Sequence, residues 1–195
     1  MSKFYAVGDR PVAVVTSPSG STECLVFDFV SGNLIPDRSY LSEVSGESGR
    51  DVETLTQQEF ARLVAEKRVE VLHMWAERLC RATSGAAEDL LTAIGAAMKP
   101  PPLGATETRV RGGEVGLANI ELELPPNTVT KADLDETFGE STKLPRTGPG
   151  APHILSYGID DPGQPSRCTV FASFATTPEG TSSVKSVMLR LDRAR

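Results

Sequence analysis

"RCTVFASFA", residues 167–175, is the stretch on which the fold turns. Cys168, Val170, Ala172 and Phe174 fall on one side of an extended chain, and Arg167, Thr169, Phe171 and Ser173 on the other. The segments on either side repeat the pattern. "HILSYGI" (153–159) offers Leu155, Tyr157 and Ile159 to the apolar face, and "SVKSVMLRLD" (183–192) offers Val187, Leu189 and Leu191. "DDPGQP" (160–165) and "TTPEGTS" (176–182) are turn segments between them. Three antiparallel strands with one apolar inner face are therefore expected over 153–192.

Working upstream, "KLPRTGPGAP" (143–152) reads as an irregular loop, because its prolines and glycines stop helices and central strands. Its Leu144–Gly148 portion matches the LPxTG tag of wall-anchored proteins. That tag works ahead of a membrane-spanning run, and no stretch after Gly148 approaches the ~20 apolar residues a span requires. The match is read as accidental. Before the loop, Thr130 and Asp133 imitate a capping box opening the short helix "KADLDETFG", which Gly139 closes. "ANIELELPP" (118–126) alternates Ile120, Leu122 and Leu124 against Glu121 and Glu123, as a one-faced strand does.

"KPPPLGA" (99–105) marks a boundary. Consecutive prolines end a helix and favour an extended connector. In the first half, "PVAVVTS" (11–17) and "ECLVFDFV" (23–30) form a hairpin across Pro18–Ser21. "LIPDRSYLSEV" (34–44) holds a short third strand interrupted at Pro36. A long helix then begins at the Thr56/Glu59 capping box and buries Phe60, Leu63, Val64, Val71, Leu72, Trp75 and Leu79. A second helix, capped by Ser84 and carrying Leu90, Leu91, Ile94 and Met98, completes a helical hairpin.

The expected fold class is α+β. Residues 1–98 carry antiparallel strands and the helical hairpin, and 99–105 are the proline-rich linker. Residues 106–195 carry a strand, then a short helix packed on a small three-stranded antiparallel sheet.

Composition narrows the function. The chain of 195 residues has a formal charge of −6 and both halves are acidic, so it lacks the cationic footprint of a nucleic-acid binder. The start of the chain has no apolar leader pattern, since Asp9, Arg10 and Pro11 interrupt it. Cys24, Cys80 and Cys168 form no C-x-x-C pair and read as buried free thiols, with one disulfide left open but not indicated, which points to the cytoplasm.

No assembled chemistry is apparent. His73 and Cys80 stand about two helical turns apart, too far for a nucleophile and its base. His153 and Cys168 could meet across a hairpin, but the alternation places Cys168 in the core. Asp133, Asp135 and Glu136 fall within a helical pattern and suit the positive end of the helix dipole better than a cation loop. "RGGEVG" (111–116) lacks the strand–loop–helix setting of a phosphate cradle. No metal site and no cofactor are expected.

What remains is surface. The outer side of the last three strands carries Ile154, Phe171 and Met188 with Arg167 and Arg190, and Asp160 and Asp161 stand in the adjoining turn. Aromatic, Met and Arg side chains together are enriched in protein interfaces.

The pattern "LDETFG…SYGI…CTVFASF…VKSVMLRLD" resembles the helix-then-sheet unit of beta-lactamase-inhibitor-protein and outer-membrane-assembly lipoprotein (SmpA-like) domains, over residues 119–192. "FYAVGDRPVAVV…VFDFVSGNL…DRSYL…LTQQEF" is similar in style to small bacterial immunity and toxin-associated proteins. These resemblances imply a non-catalytic binder that uses an exposed sheet face. The expected function is thus protein binding, as an immunity or inhibitor protein that masks a bacterial enzyme or toxin, with no nucleic-acid or membrane partner. Two alternatives stand beside it: a structural or adaptor subunit that forms a homodimer through the same face, and a cofactor-free hydrolase built from distant carboxylates.

Overall fold

The computed structural model describes residues 2–46, 49–81, 100–112, 117–159 and 166–193. Among them the chain is α+β, with two antiparallel sheets and a few helices. It divides into two compact units, residues 1–68 and 69–195, and the division falls inside one long helix.

The first unit is a five-stranded sheet in the order β4-β3-β2-β1-β5. Its strands are β1 (Ser2–Val7), β2 (Arg10–Thr16), β3 (Thr22–Asp28), β4 (Asn33–Pro36) and β5 (Val52–Leu55). Gly8, at φ 62°, supplies the backbone that the tight β1–β2 turn requires. On one face, buried Val7, Val12, Cys24 and Val26 pack with Tyr40, Leu41 and Val44 of the short helix α1 (Tyr40–Val44). On the other, Phe4 stacks on Phe60 with ring centroids 4.8 Å apart, beside buried Ala6, Ala13 and Phe27. Phe60 belongs to α2 (Gln57–Arg81).

The expected Thr56/Glu59 capping box opens α2: the Thr56 N–H donates to Glu59 Oε2 at 2.7 Å, and the Glu59 N–H to Thr56 Oγ1 at 3.2 Å. The proposed partner helix of the hairpin, at residues 84–98, lies outside the described residues, as does the 113–116 part of "RGGEVG".

The second unit is a six-stranded sheet in the order β6-β7-β11-β10-β9-β8, not a three-stranded one. Its strands are β6 (Glu107–Gly112), β7 (Leu117–Glu123), β8 (Thr142–Lys143), β9 (His153–Ile159), β10 (Ser166–Phe174) and β11 (Ser186–Arg193). The strand expected at 118–126 joins the sheet beside β11, with Leu122 opposite Val187 and Ile120 opposite Leu189. The apolar face forms as the alternation requires. Leu155, Tyr157, Cys168, Val170, Ala172, Phe174, Val187, Leu189 and Leu191 are all buried, and Ile159 at the strand end is half-buried. Against it lie the later turns of α2, with buried Leu72, Trp75 and Cys80, and α3 (Lys131–Phe138), with fully buried Leu134. The Thr130/Asp133 capping box and the Gly139 terminus of α3 are both present.

The proline segment is not a free linker. Pro102–Gly104 form a 3-10 turn in which Pro102 and Leu103 are buried within the second unit. Leu103 adopts φ 56°, a conformation that costs a branched residue about 1–3 kcal/mol. Complete burial of its side chain offsets this by about 1.5–3 kcal/mol. The apolar residue that follows the prolines is claimed by the core. No helix among the described residues is long and apolar enough to cross a membrane.

Candidate functional site: the outer face of the second sheet

Because successive side chains alternate, the burial of Cys168, Val170 and Ala172 forces Thr169, Phe171 and Ser173 outward. Register then decides what stands beside them. Phe171 lies opposite Met188 on β11 and Ser156 on β9, and Ser173 lies opposite Ser186 and Ile154. Continuing across the sheet, Met188 faces Glu121, which faces Arg109, and Ser186 faces Glu123. The result is a shallow groove of about 230 Å³, whose apolar floor is Ile154, Phe171 and Met188 and whose walls include Glu121, Glu123 and Lys185. All three floor residues are half-buried. The Arg190 guanidinium lies 4.5 Å from the Phe171 ring centre, an attraction of charge to the ring face.

Four of the expected site residues, Ile154, Phe171, Met188 and Arg190, are thus brought together on one face. Arg167 takes an outward position on β10, in register with Asp192, but its side chain lies outside the described residues. Asp160 and Asp161 also lie outside them.

The sequence reading missed the charged wall. Arg109 bonds Glu107 in a two-pronged pair at 2.7 and 2.8 Å and lies 3.6 Å from Glu123 and 4.0 Å from Glu121. This pairing holds the Glu107 carboxyl below its ordinary range and raises the Arg109 guanidinium above its own. The available signal was the opposite-charge spacing of "ETR" on β6 against "ELE" on β7, which has meaning only once the two strands are paired.

A second concavity, about 260 Å³, lies in the same unit on the inner side. His73, Glu77, Cys80 and Arg81 of α2 line it together with Thr137 and Phe138 of α3 and the end of β9. The His73 ring sits 5.3 Å from Phe138, whose ring is 5.9 Å from Tyr157. Tyr157 is fully buried and its hydroxyl donates to Asp135 Oδ1 at 3.0 Å, while Lys131 Nζ bonds the other carboxylate oxygen. Burial, then the Asp135 hydrogen bond and charge, push the Tyr157 phenol well above its ordinary value of 10. The acids of α3 therefore have structural duties: Asp133 caps the helix and Asp135 satisfies Tyr157.

Two cysteine expectations need correction. Cys80 and Cys168 are joined by a disulfide across 88 residues of sequence, and only Cys24 is a free, buried thiol. The residues are too far apart in sequence for spacing to reveal the pair. The compartment argument that rested on three free thiols loses that support. Nor do His153 and Cys168 meet: His153 pairs with Phe174 and Cys168 with Ile159, at opposite ends of the β9–β10 ladder. Burial, with Arg146 and Lys143 nearby, holds the His153 imidazole below its ordinary value. Among the described residues no three His, Cys, Asp or Glu side chains gather to hold a metal ion.

No protein-family model matches the chain, and neither a curated protein nor a solved structure matches it.

Proposed function

We propose that the protein is a non-catalytic binding protein that docks a basic partner protein on the outer face of its second sheet. The observation that carries the reading is the groove in which Ile154, Phe171 and Met188 lie half-buried beside Glu121 and Glu123. An apolar floor of that size takes one large side chain as an anchor, the arrangement in which interface energy concentrates. Glu107, Glu121 and Glu123 face the guanidinium of Arg109 and the ammonium of Lys185, so this wall carries one carboxylate more than its cations, on a chain of net charge −6. The partner accordingly places an aromatic or aliphatic anchor on Phe171 and Met188 and a Lys or Arg against Glu121 and Glu123. An inhibitor or immunity protein that masks a bacterial enzyme or toxin is the concrete form of this reading.

The test uses the wild-type chain and two variants, Phe171→Ala with Met188→Ala, and Glu121→Lys with Glu123→Lys, as baits in native extract. A protein held by the wild type and lost by both variants, while emission from buried Trp75 stays unchanged, is the expected result. Equal retention by all three baits removes the face from the function. Sedimentation over a range of concentrations guards against the homodimer: a wild type that dimerises alone, with both variants monomeric, replaces the foreign partner by a second copy.

A further inference from the structure

We propose that the Arg146–Thr147 peptide bond is a processing site for a trypsin-type, arginine-directed endoprotease, and that the cut yields a two-chain form held by the Cys80–Cys168 disulfide. The site lies in the connection from β8 to β9, residues 144–152, all of which the structure describes. Pro145, Arg146 and Thr147 are exposed, and among the described residues their main chain makes no hydrogen bond. An endoprotease draws the chain through its cleft on both sides of the bond, so it cuts where opening is local. Here little has to open. The Leu144 N–H leaves the Ile154 carbonyl at 3.0 Å and the Ala151 N–H leaves the Gly148 carbonyl at 3.2 Å. The β8–β9 pairs Thr142–Ser156 and Lys143–Leu155 stay formed.

Side chains set the specificity. Arg146 Nε and Nη2 donate to the Ala151 carbonyl at 3.0 and 2.9 Å on the surface. The carboxylate in an arginine pocket is a stronger acceptor than this neutral carbonyl, so the guanidinium transfers to the enzyme. Pro145 biases Leu144 toward the extended backbone that a protease cleft takes, and Pro145-Arg146 is the single Pro-Arg pair in the chain. Hydrolysis adds the hydroxyl of water to the Arg146 carbonyl carbon, breaks the C–N bond and places the proton on the Thr147 nitrogen. A carboxylate and an amine result, and nothing is oxidised or reduced. The two pieces stay together, because β11 remains paired with β7 and Cys168 remains bonded to Cys80. The cut also sets a new chain end close in sequence to Pro152, a wall of the outer groove.

The probe is thrombin, which takes arginine preceded by proline, added to the folded protein with a free peptide of residues 141–152 as the rate reference. Mass spectrometry should find one cut: without reduction a single species heavier by one water, and after reduction the fragments 1–146 and 147–195. In urea kept below the Trp75 transition, the rate relative to the peptide should change by less than about threefold, because a local opening does not draw on global unfolding. Arg146→Gln should abolish the cut with Trp75 emission unchanged. An uncut native chain, a cut at another bond instead, fragments that part before reduction, or a larger rise of the relative rate in that urea range would each overturn the assignment.

Discussion

Breaking the Cys80–Cys168 bond should weaken the second unit specifically, and the size of the loss follows from the loop it closes. The bond joins residues 88 apart, and it lies wholly within the 69–195 unit. Constraining a loop of that length removes roughly 15 cal/mol/K of chain entropy from the unfolded ensemble, about 4.6 kcal/mol at 25 °C in the chain-entropy description. Measured losses for native disulfides more often reach about 2–4 kcal/mol, because the unfolded chain keeps residual structure.

The chain has a single tryptophan, Trp75, which is 2% exposed and lies in the same unit, so its emission follows that unit's unfolding in urea. With a slope of about 1–3 kcal/mol/M, the loss displaces the midpoint downward by about 1–2 M. Two perturbations should agree: reduction of the wild type by a phosphine, and Cys80→Ala with Cys168→Ala. Thiol counting supplies the control, since the unreduced denatured wild type should show one reactive thiol, Cys24. A midpoint unmoved by either treatment would refute the reasoning, because it would mean that no covalent constraint was present to lose.

Other consequences are as direct. Thr130→Ala removes the acceptor for the Asp133 N–H and the hydroxyl that donates to the Asp133 carboxylate, leaving that carboxylate only the backbone N–H of residue 130, so the Trp75 transition should lose about 1 kcal/mol. Leu134→Ala empties a fully buried position under α3 and should cost about 2–5 kcal/mol in the same assay. Tyr157 binds its proton more tightly folded than unfolded. Its contribution is therefore intact below pH 10 and declines as pH rises through that value toward the higher folded one; Tyr157→Phe should flatten this alkaline limb in urea titrations at stepped pH. Arg109→Gln breaks only exposed pairs, so the urea midpoint should barely move, while the more negative groove wall should tighten binding of a basic partner. Weaker binding in that variant would count against the charge argument.

The parts of this fold that were legible in the sequence are those where one face meets the core and the other meets water. β9, β10 and β11 alternate cleanly for that reason, and the capping residues at Thr56 and Thr130 announce their helices through side-chain chemistry. β1 escaped because it is covered on both sides: Phe4 and Ala6 pack toward α2 while Tyr5 and Val7 pack toward α1, leaving "SKFYAV" no polar phase to detect. β5 and β8 are short edge strands whose residues are mostly exposed or half-buried, and their composition resembles that of a loop. The prolines at 100–102 were read by their backbone chemistry alone. The burial of Leu103, which draws them into the second unit, depends on a core that local sequence does not display.

The candidate site divides along the same line. Alternation within β10 placed Phe171 and Met188 on a shared face, but only cross-strand register sets Met188 beside Glu121 and Ser186 beside Glu123. Register is in turn fixed by the inner face, because a slip of one residue would carry Phe171 into the core and expose Val170 and Ala172. The groove is therefore held in shape by residues on the opposite, buried side of the sheet. Leu122, Val170, Val187 and Leu189, each nearly or wholly excluded from water, hold the outer side chains in one arrangement. A docking surface built on a sheet so constrained loses little freedom on binding, and that saving favours a rigid groove over a mobile loop as the place for a single anchoring side chain.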